Sequence, residues 1–211
     1  LAWRLLALHR TLPPQIRPPR LELRIDVNPP DEDIEAELSS LYRRLHTPGD
    51  AMNACARLAA LQPGLIFHHR EADGEHYVYV EDPSRGCLAG YTVFNRLIEV
   101  DRRTDRHVRS PHSKYAPAYR RQGIASLVYR WWPDGGRNLI TGVRQSPASH
   151  ALWHSLAADY PLYYVQLHDK RLRVLGRQVS PTMREAFHTR MLLLGKNGCL
   201  EHFVHQTGCQ H

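Results

Sequence analysis

Residues 119–132 read YRRQGIASLVYRWW, and this stretch combines two kinds of signal. From Ile124 onward, large apolar residues recur at positions i, i+3, i+4, i+7 and i+8, the spacing of one face of an amphipathic helix. Directly before that face stand two arginines, a glutamine and Gly123. The sequence therefore predicts a helix that begins near Gly123 and is preceded by a cationic turn.

The turn before this helix has the composition of an anion-binding site. The first turn of a helix leaves backbone N–H groups without intrahelical partners, and the helix dipole adds partial positive charge there. Gly123 and the small Ala125 leave room for a ligand to approach the backbone. The cations between residues 102 and 121 are Arg102, Arg103, Arg106, Arg109, Lys114, Arg120 and Arg121, against the single acid Asp105. This clustering favours a polyphosphate ligand, while the absence of GxxxxGKS/T and GxGxxG excludes a P-loop and a dinucleotide fingerprint.

Upstream of the turn, periodicity predicts one strand, then two helices, and then a series of strands. Residues 21–27 alternate like a strand, and the acids at 31–33 open an apolar pattern that predicts a helix to about residue 45. A second helix is predicted over 51–62. The strands expected next are 65–70 and 76–81, joined by the hairpin signal Asp73-Gly74, then 87–100, then 107–117, where Pro111 requires a bulge or an edge.

Downstream of the turn, strands and helices continue to alternate. A strand is predicted over 138–144, and a helix follows with Ser146 as its cap and Pro147 at its first position. The buried face expected for that helix consists of Ala148, Ala151, Leu152 and Leu156. Strands over 161–167 and 171–176 and a final helix over 180–194 complete the series. This order predicts an α/β fold, with a mixed, mostly antiparallel sheet and helices on both of its faces.

At Arg120-x-x-Gly123-x-Ala125 the chain resembles the GNAT acyltransferase superfamily, whose signature is (Q/R)-x-x-G-x-(G/A). PAYRRQGIAS is similar to the usual lead-in of that motif, and SPASHALWHSL resembles a following motif that often begins with Asn and carries an Ala and a Tyr. The resemblance covers about residues 21–175 and is strongest over 107–165. In that family the loop wraps the pyrophosphate of acetyl-coenzyme A. The resemblance thus implies an N-acyltransferase that uses acetyl-CoA or another acyl-CoA as co-substrate.

The same resemblance implies which residues hold the coenzyme. A backbone N–H on the strand before the loop, near His112 to Tyr115, would polarise the thioester carbonyl. The cofactor-binding residues expected from the family pattern are Ser113, Tyr115, Arg120, Arg121, Gln122, Gly123, Ile124, Ala125, Ser126 and Ser146.

The acid and the base of the reaction are left open by the sequence. In the family, direct attack of an amine on the thioester needs a base for the amine proton and an acid for the leaving thiolate. The usual tyrosine of the acid falls at Trp153, which cannot donate a proton, so that either the thiolate leaves unassisted or a neighbour replaces it: Tyr163, Tyr160 or His154. For the base, the candidates are His112, His107 and Glu99.

Several acceptors and one rival class of protein also stay open. A small-molecule or peptide amine is the first expectation, and acids at 32–37 in the predicted helical pair suit a cationic amine. A GNAT-type enzyme acting on aminoacyl-tRNA, or one that takes its acyl group from an acyl carrier protein, would equally suit a net charge of +7. A non-enzymatic module that binds nucleic acid by tryptophan stacking is the rival. A homodimer is a further open assembly.

Length and composition fit one domain with short additions at its ends. The 211 residues are 42% hydrophobic, and we divide them into a basic, proline-containing arm (1–20), an acyltransferase domain (21–176) and a helical extension with a tail (177–211). No apolar run approaches the roughly 20 residues of a membrane span, so a cytoplasmic protein without a membrane partner is expected. The spacing of Cys199, His202, His205 and Cys209 matches no standard zinc finger, and no metal site is predicted.

Overall fold

The computed structural model describes residues 30–142, 145–186 and 188–210. The predicted arm over 1–20 and the predicted strand over 21–27 lie outside the described residues. The helices are α1 (Asp31–Leu45), α2 (Arg102–Asp105), α3 (Ile124–Asp134), α4 (Pro147–Leu156), α5 (Pro181–Glu185) and α6 (Leu200–Thr207). The strands are β1 (Ala56–Arg57), β2 (Ile66–Ala72), β3 (Glu75–Asp82), β4 (Cys87–Asn95), β5 (Val108–Tyr115), β6 (Asn138–Ile140), β7 (Leu162–His168), β8 (Arg171–Gly176) and β9 (Thr189–Leu193). None of the helices in these ranges is long and apolar enough to cross a membrane.

The strands form one sheet in the order β1-β2-β3-β4-β5-β6-β9-β7-β8. Every pair in it is antiparallel except β5 and β6, which run parallel. The predicted mixed, mostly antiparallel sheet is confirmed. Asp73 and Gly74 both have positive φ, as a two-residue hairpin turn between β2 and β3 requires. Because β6 and β9 are antiparallel and β9 and β7 are antiparallel, β7 runs in the same direction as β5.

Helices cover both faces of this sheet, which also confirms the prediction. Adjacent strand residues point to opposite faces, and the neighbours Val78 and Tyr79 accordingly belong to different hydrophobic clusters. Helices α3 and α4 contribute Ile124, Val128, Trp132, Trp153 and Leu156 to the cluster on one face. Helices α1 and α6 contribute Ile34, Leu38, Leu200 and Phe203 to the clusters on the other.

The parallel pair in the middle of the sheet separates early. Strands β5 and β6 are paired only at Val108–Asn138 and Arg109–Leu139, whereas β5 remains paired with β4 as far as Tyr115. Pro111 lies just beyond the last residue paired with β6, where its missing N–H costs no ladder hydrogen bond. The result is an opening beside β5 that leads toward the N-terminus of α3.

The helix predicted over 51–62 is wrong. This segment forms turns followed by the two-residue strand β1, which pairs with His68 and His69 of β2. The carboxylate of Asp50 accepts from the N–H of Met52 at 2.8 Å, and the N–H of Leu58 donates to the carbonyl of Phe67 at 2.9 Å. Backbone hydrogen bonding to β2 and to the Asp50 turn has therefore replaced the helical hydrogen bonds that the apolar spacing suggested.

The final helix predicted over 180–194 is also wrong, except for its first turn. Of the residues described there, only those of α5 are helical, and β9 inserts between β6 and β7. Leu192 and Leu193 are completely buried on opposite faces, which is why this strand ends in apolar residues without alternation. Residues 177–211 thus supply a central strand of the same sheet.

In α4 the cap is as predicted, and the buried face is as predicted for Leu152 and Leu156 but not for the two alanines. The Ser146 side chain accepts from the N–H of Ser149 at 3.1 Å, and Pro147 is the first helical residue. Ala148 and Ala151 are exposed, whereas Trp153 is buried together with Leu156. The side of α4 that carries the large indole of Trp153 therefore faces the sheet.

Candidate active site

The segment between β5 and α3 is an exposed turn of unusual backbone conformation. A 3₁₀ turn over Pro117–Tyr119 follows β5, and φ is positive at Arg121 (61°) and at Gly123 (78°). Residues 120–123 are exposed, while Ile124 is buried and starts the helix. A Cβ placed on Gly123 would meet no atom within 4 Å. The glycine is therefore needed for its conformation, and the space above it is open to a ligand.

From Arg121 onward, the backbone N–H groups of this turn have no hydrogen-bond partner among the described residues. Helix α3 has no side-chain cap, and the described part of the chain offers no hydrogen-bond acceptor to the N–H groups of residues 121–126. Ala125 and Ser126 are partly exposed in the first helical turn. Unpaired amides at the start of an eleven-residue helix form an anion site of the kind predicted.

Hydrogen bonds from both sides hold the turn in place. The hydroxyl of Tyr119 donates to the buried carboxylate of Asp82 at 2.7 Å and lies 3.4 Å from the Cys87 sulfur. The side chain of Gln122 donates to the carbonyl of Ala118 at 2.6 Å. The end of the β3–β4 hairpin is thereby joined to the turn, so that the amides are positioned before any ligand arrives.

Arg120 is oriented by the strand and paired with a carboxylate. Its Nε donates to the carbonyl of Tyr115 at 3.0 Å, and its Nη2 contacts Asp31, at the start of α1, at 2.6 Å. Both side chains are about half exposed. The oxygen of Asp31 occupies a position that a phosphate oxygen could take on the same guanidinium. Arg121 projects from the exposed turn, and no ion pair is recorded for it among the described residues.

Strand β5 turns a second set of backbone groups toward the opening. The carbonyl of Ser110 accepts from Asn95 at 3.1 Å and the N–H of Ala116 donates to Ala89 at 3.0 Å, so even-numbered residues of β5 face β4. Backbone groups alternate along a strand, and those of Ser113 and Tyr115 therefore face away from β4, into the opening. Their side chains are held from the α3 side: Ser113 and Tyr115 bond to Thr92 at 2.8 and 3.2 Å.

On the α1 side of β5 lies a cluster of charged groups around His112. Glu37 of α1 accepts from the hydroxyl of Tyr91 at 2.6 Å and from Lys114 at 2.7 Å. Burial alone would raise the pKa of Glu37, but the hydrogen bonds from Lys114 and Tyr91 hold it below its usual value. Burial lowers the pKa of His112 and Lys114 lowers it further, against the opposing charge of Glu37. A neutral imidazole at neutral pH follows, with a surface still in contact with solvent.

The other two predicted catalytic residues lie on the same sheet face but not beside His112. Glu99 is exposed and pairs at 3.3 Å with Arg190 of β9. Tyr163 is on β7, which is separated from β5 by β6 and β9, and its hydroxyl accepts from Arg177 at 3.3 Å. The structure thus places His112 on β5 near Lys114 and Glu37, and leaves Glu99 and Tyr163 toward the β9–β7 half of the sheet.

The remaining acid and base candidates are occupied elsewhere. Tyr160 donates to Asp134 at 2.7 Å, and burial raises its pKa to about 12. His154 lies 3.0 Å from His150 on the exposed side of α4. His107 precedes β5, where burial lowers its pKa. Trp153, at the usual tyrosine position, is buried.

The predicted coenzyme contact of Ser146 and the cysteine-histidine tail have other roles in the structure. The Ser146 hydroxyl caps α4, as described above. Cys209 is buried and lies 2.9 Å from the hydroxyl of Thr207, whereas Cys199, His202 and His205 are exposed along α6. In the part of the chain that the structure describes, no three His, Cys, Asp or Glu side chains could together hold a metal ion.

Sequence reasoning located the turn but missed the residues that join it to the rest of the molecule. Asp31 and Glu37 lie 89 and 77 positions away from their partners Arg120 and Lys114. Glu37 is one of the acids expected to suit a cationic amine, but in the structure it is paired with Lys114. No local pattern indicates such pairings, because they depend on how α1 packs on β4.

Comparisons with solved structures return acetyltransferases. No protein-family model and no curated protein matches this sequence. A GNAT superfamily phosphinothricin acetyltransferase from Sinorhizobium meliloti, in complex with AcCoA, is 22% identical over 59% of this chain, with a TM-score of 0.36. The chain covers 63% of that protein, less than two thirds of its length.

Two further matches have the same character. The protein yncA from Salmonella typhimurium, with its cofactor acetyl-CoA, is 17% identical over 80% of this chain and 91% of its own, with a TM-score of 0.38. A variant of the spermidine N-acetyltransferase SpeG from Vibrio cholerae is 16% identical over 59% of this chain and 66% of its own, with a TM-score of 0.34. Similarities of this size identify neither the acyl donor nor the acceptor of this chain. Both have to be argued from the geometry of its own residues.

Proposed function

We propose that this chain is an acyl-CoA-dependent N-acyltransferase of the GNAT type, with acetyl-CoA as the first donor to test. One observation carries the proposal: an exposed helix N-terminus with unpaired amides stands at the mouth of an opening between two parallel strands. The open space above Gly123 and the cations of the turn fit a diphosphate. The unpaired strand edge beside it fits the extended arm of the same coenzyme.

In the proposed reaction, the bound coenzyme supplies an acyl group as a thioester. The backbone N–H of Ser113 or Tyr115 donates a hydrogen bond to the thioester oxygen as negative charge develops there. The amine nitrogen bonds to the acyl carbon, and the carbon–sulfur bond breaks. His112 accepts the proton that the nitrogen loses, directly or through a water, because its lowered pKa keeps it neutral.

The electron pair of the broken bond leaves on the sulfur. A thiol such as that of cysteine has a pKa near 8.5, so the thiolate can leave unassisted at neutral pH and be protonated by solvent. Tyr163 as the acid and Glu99 as an alternative base stay predictions. Of the four tryptophans on which nucleic-acid stacking would depend, Trp132 and Trp153 are buried, Trp131 is partly buried and Trp3 lies outside the described residues. A cytoplasmic location and a homodimer stay predictions as well.

A thermal-shift titration with acetyl-CoA tests the binding site. A ligand that binds only the native state raises the melting temperature, by an amount that grows with concentration. Gly123→Trp places a large side chain in the open space above the turn, and we expect it to abolish the shift. If millimolar acetyl-CoA raises the melting temperature of neither the wild-type chain nor the variant, or raises both equally, the coenzyme does not bind at this turn.

A thiol-release assay over a panel of amines tests the reaction and its acceptor. The panel consists of polyamines, aminoglycosides, amino acids, peptides and aminoacyl-tRNA, with acyl carrier protein as an alternative donor. Release that depends on one class of amine and disappears in Gly123→Trp supports the proposal and identifies the acceptor. If the coenzyme raises the melting temperature but no amine causes thiol release, the chain binds the coenzyme and the proposed transferase activity is refuted.

A further inference from the structure

A second polar site, separate from the turn before α3, lies where β8 forms one edge of the sheet. A half-open cavity of about 510 Å³ is found there. Its polar lining consists of Gln166, His168, Asp169, Arg171, Arg173 and Gln210. A volume of this size lies within the range of small-molecule sites, about 300–1,000 Å³. The residues come from β7, from the turn after it, from β8 and from the C-terminal segment.

The alternation of β8 places two guanidinium groups side by side. Leu172 and Val174 are buried in the cluster under α6, so Arg171 and Arg173 point to the opposite face. Their cross-strand neighbours on β7 are His168 and Gln166, in register. These four side chains form a two-by-two polar patch on the sheet.

The C-terminal segment fixes one wall of the cavity. The N–H of Val174 donates to the carbonyl of Gln210 at 2.8 Å, and the N–H of Gln210 donates to the carbonyl of Leu172 at 3.1 Å. Arg103 donates to the carbonyls of His205 and Gln206 at the end of α6. The side chain of Gln210 is therefore carried on an ordered backbone rather than on a free terminus.

The charge of the site is uncompensated. Within the described ranges, no ion pair or hydrogen bond of the Arg171 or Arg173 side chain is recorded. The only carboxylate in the lining, Asp169, lies 3.0 Å from the imidazole of His168. Lys170 is exposed in the same turn. Two free guanidiniums, beside the primary amides of Gln166 and Gln210, favour an anionic ligand that also accepts several hydrogen bonds.

We propose that this cavity binds a phosphorylated ligand that carries two neighbouring anionic groups, of the diphosphate kind. Residues two apart on a strand are about 6.6 Å apart, too far for one carboxylate to bond both guanidiniums bidentately. A diphosphate offers oxygens to each of them at once. The site does not depend on the acyl-transfer reaction, because none of its residues belongs to the turn before α3 or to β5.

Calorimetric titration with inorganic pyrophosphate tests this site. The titration is done in the Gly123→Trp variant, so that the amides before α3 do not contribute. We expect the double substitution Arg171→Gln, Arg173→Gln to weaken binding at least tenfold, since two charge-assisted interactions are lost. The matched control is Arg57→Gln in β1, an exposed arginine at the opposite edge of the sheet, which should change the affinity less than twofold.

The same experiment can overturn the proposal in four ways. Absence of pyrophosphate binding at millimolar concentration rules the site out, and so does equal loss in the control. Orthophosphate binding as tightly as pyrophosphate would contradict a ligand with two anionic groups. Much tighter binding of single-stranded RNA would replace the diphosphate by a polynucleotide. In the wild-type chain the double substitution should leave the acetyl-CoA thermal shift unchanged, which separates this test from that of the transferase.

Discussion

Substituting alanine for glycine at two positions separates the conformational role of Gly123 from its role in binding. Gly123 and Gly49 have φ of 78° and 87°, both are exposed, and a Cβ on either meets no atom within 4 Å. Alanine in this left-handed region costs about 1–2 kcal/mol. Since there is no clash to add, Gly123→Ala and Gly49→Ala should lower the free energy of unfolding by similar amounts. In a domain of this size, each kcal/mol lowers the melting temperature by about 2–4 °C.

Only the substitution at Gly123 should weaken the binding of the coenzyme. The added methyl group stands in the open space where a phosphate would meet the amides of the turn. The loss of one hydrogen bond to a charged group corresponds to about 1.5–3 kcal/mol, or about 10- to 150-fold in affinity. The assay is the KM for acetyl-CoA in thiol release, with urea unfolding measured on the same samples. Equal KM values for the two variants would refute a diphosphate site at Gly123, whatever their stabilities.

Three other outcomes follow from the structure. Leu192→Ala should lower the free energy of unfolding by about 2–5 kcal/mol in urea denaturation, and the exposed Met183→Ala by less than about 0.5 kcal/mol; similar losses would contradict β9 as a central strand. Glu37→Gln should lower the urea midpoint at neutral pH. This difference should shrink as the pH falls below about 4.3, the pKa of an unfolded Glu, and vanish once the pH is below the lowered pKa of Glu37, because the stability is lost on protonation. If His112 is the base, kcat/KM rises with pH through an apparent pKa below the usual histidine value, and His112→Gln removes that rise without removing the coenzyme-induced thermal shift.

The helix α3 and the turn before it were predictable because their signals are local. The apolar spacing after Ile124, the positive φ that Gly123 adopts, the cap at Ser146 and the hairpin turn at Asp73-Gly74 each depend on a few neighbouring residues. The apolar run over 191–194 has no such local signal. An apolar run without alternation suits a doubly buried strand and a buried helix equally, and only the open edges of β6 and β7 decide between them.

The candidate site was likewise predictable from the sequence only in part. The position of the cationic turn follows from the motif, and the alternation of β5 follows from its being a strand. The partners of Arg120 and Lys114, and the separation of β5 from β6 after Arg109, depend on the packing of α1 and on strand pairing far along the chain. The segment over 51–62 shows the limit most clearly, since apolar residues at helical spacing were overruled by hydrogen bonds to β2.

The position of β9 has a consequence for how this protein is made. Along the chain, β6 and the β7–β8 hairpin both precede β9, the strand that pairs with β6 and β7. Until β9 is in place, β6 and β7 each present an unpaired strand edge. A chain that ends shortly after Gly176 would lack β9. Its β6 and β7 edges would stay unpaired, and strands of neighbouring polypeptides could then pair with them.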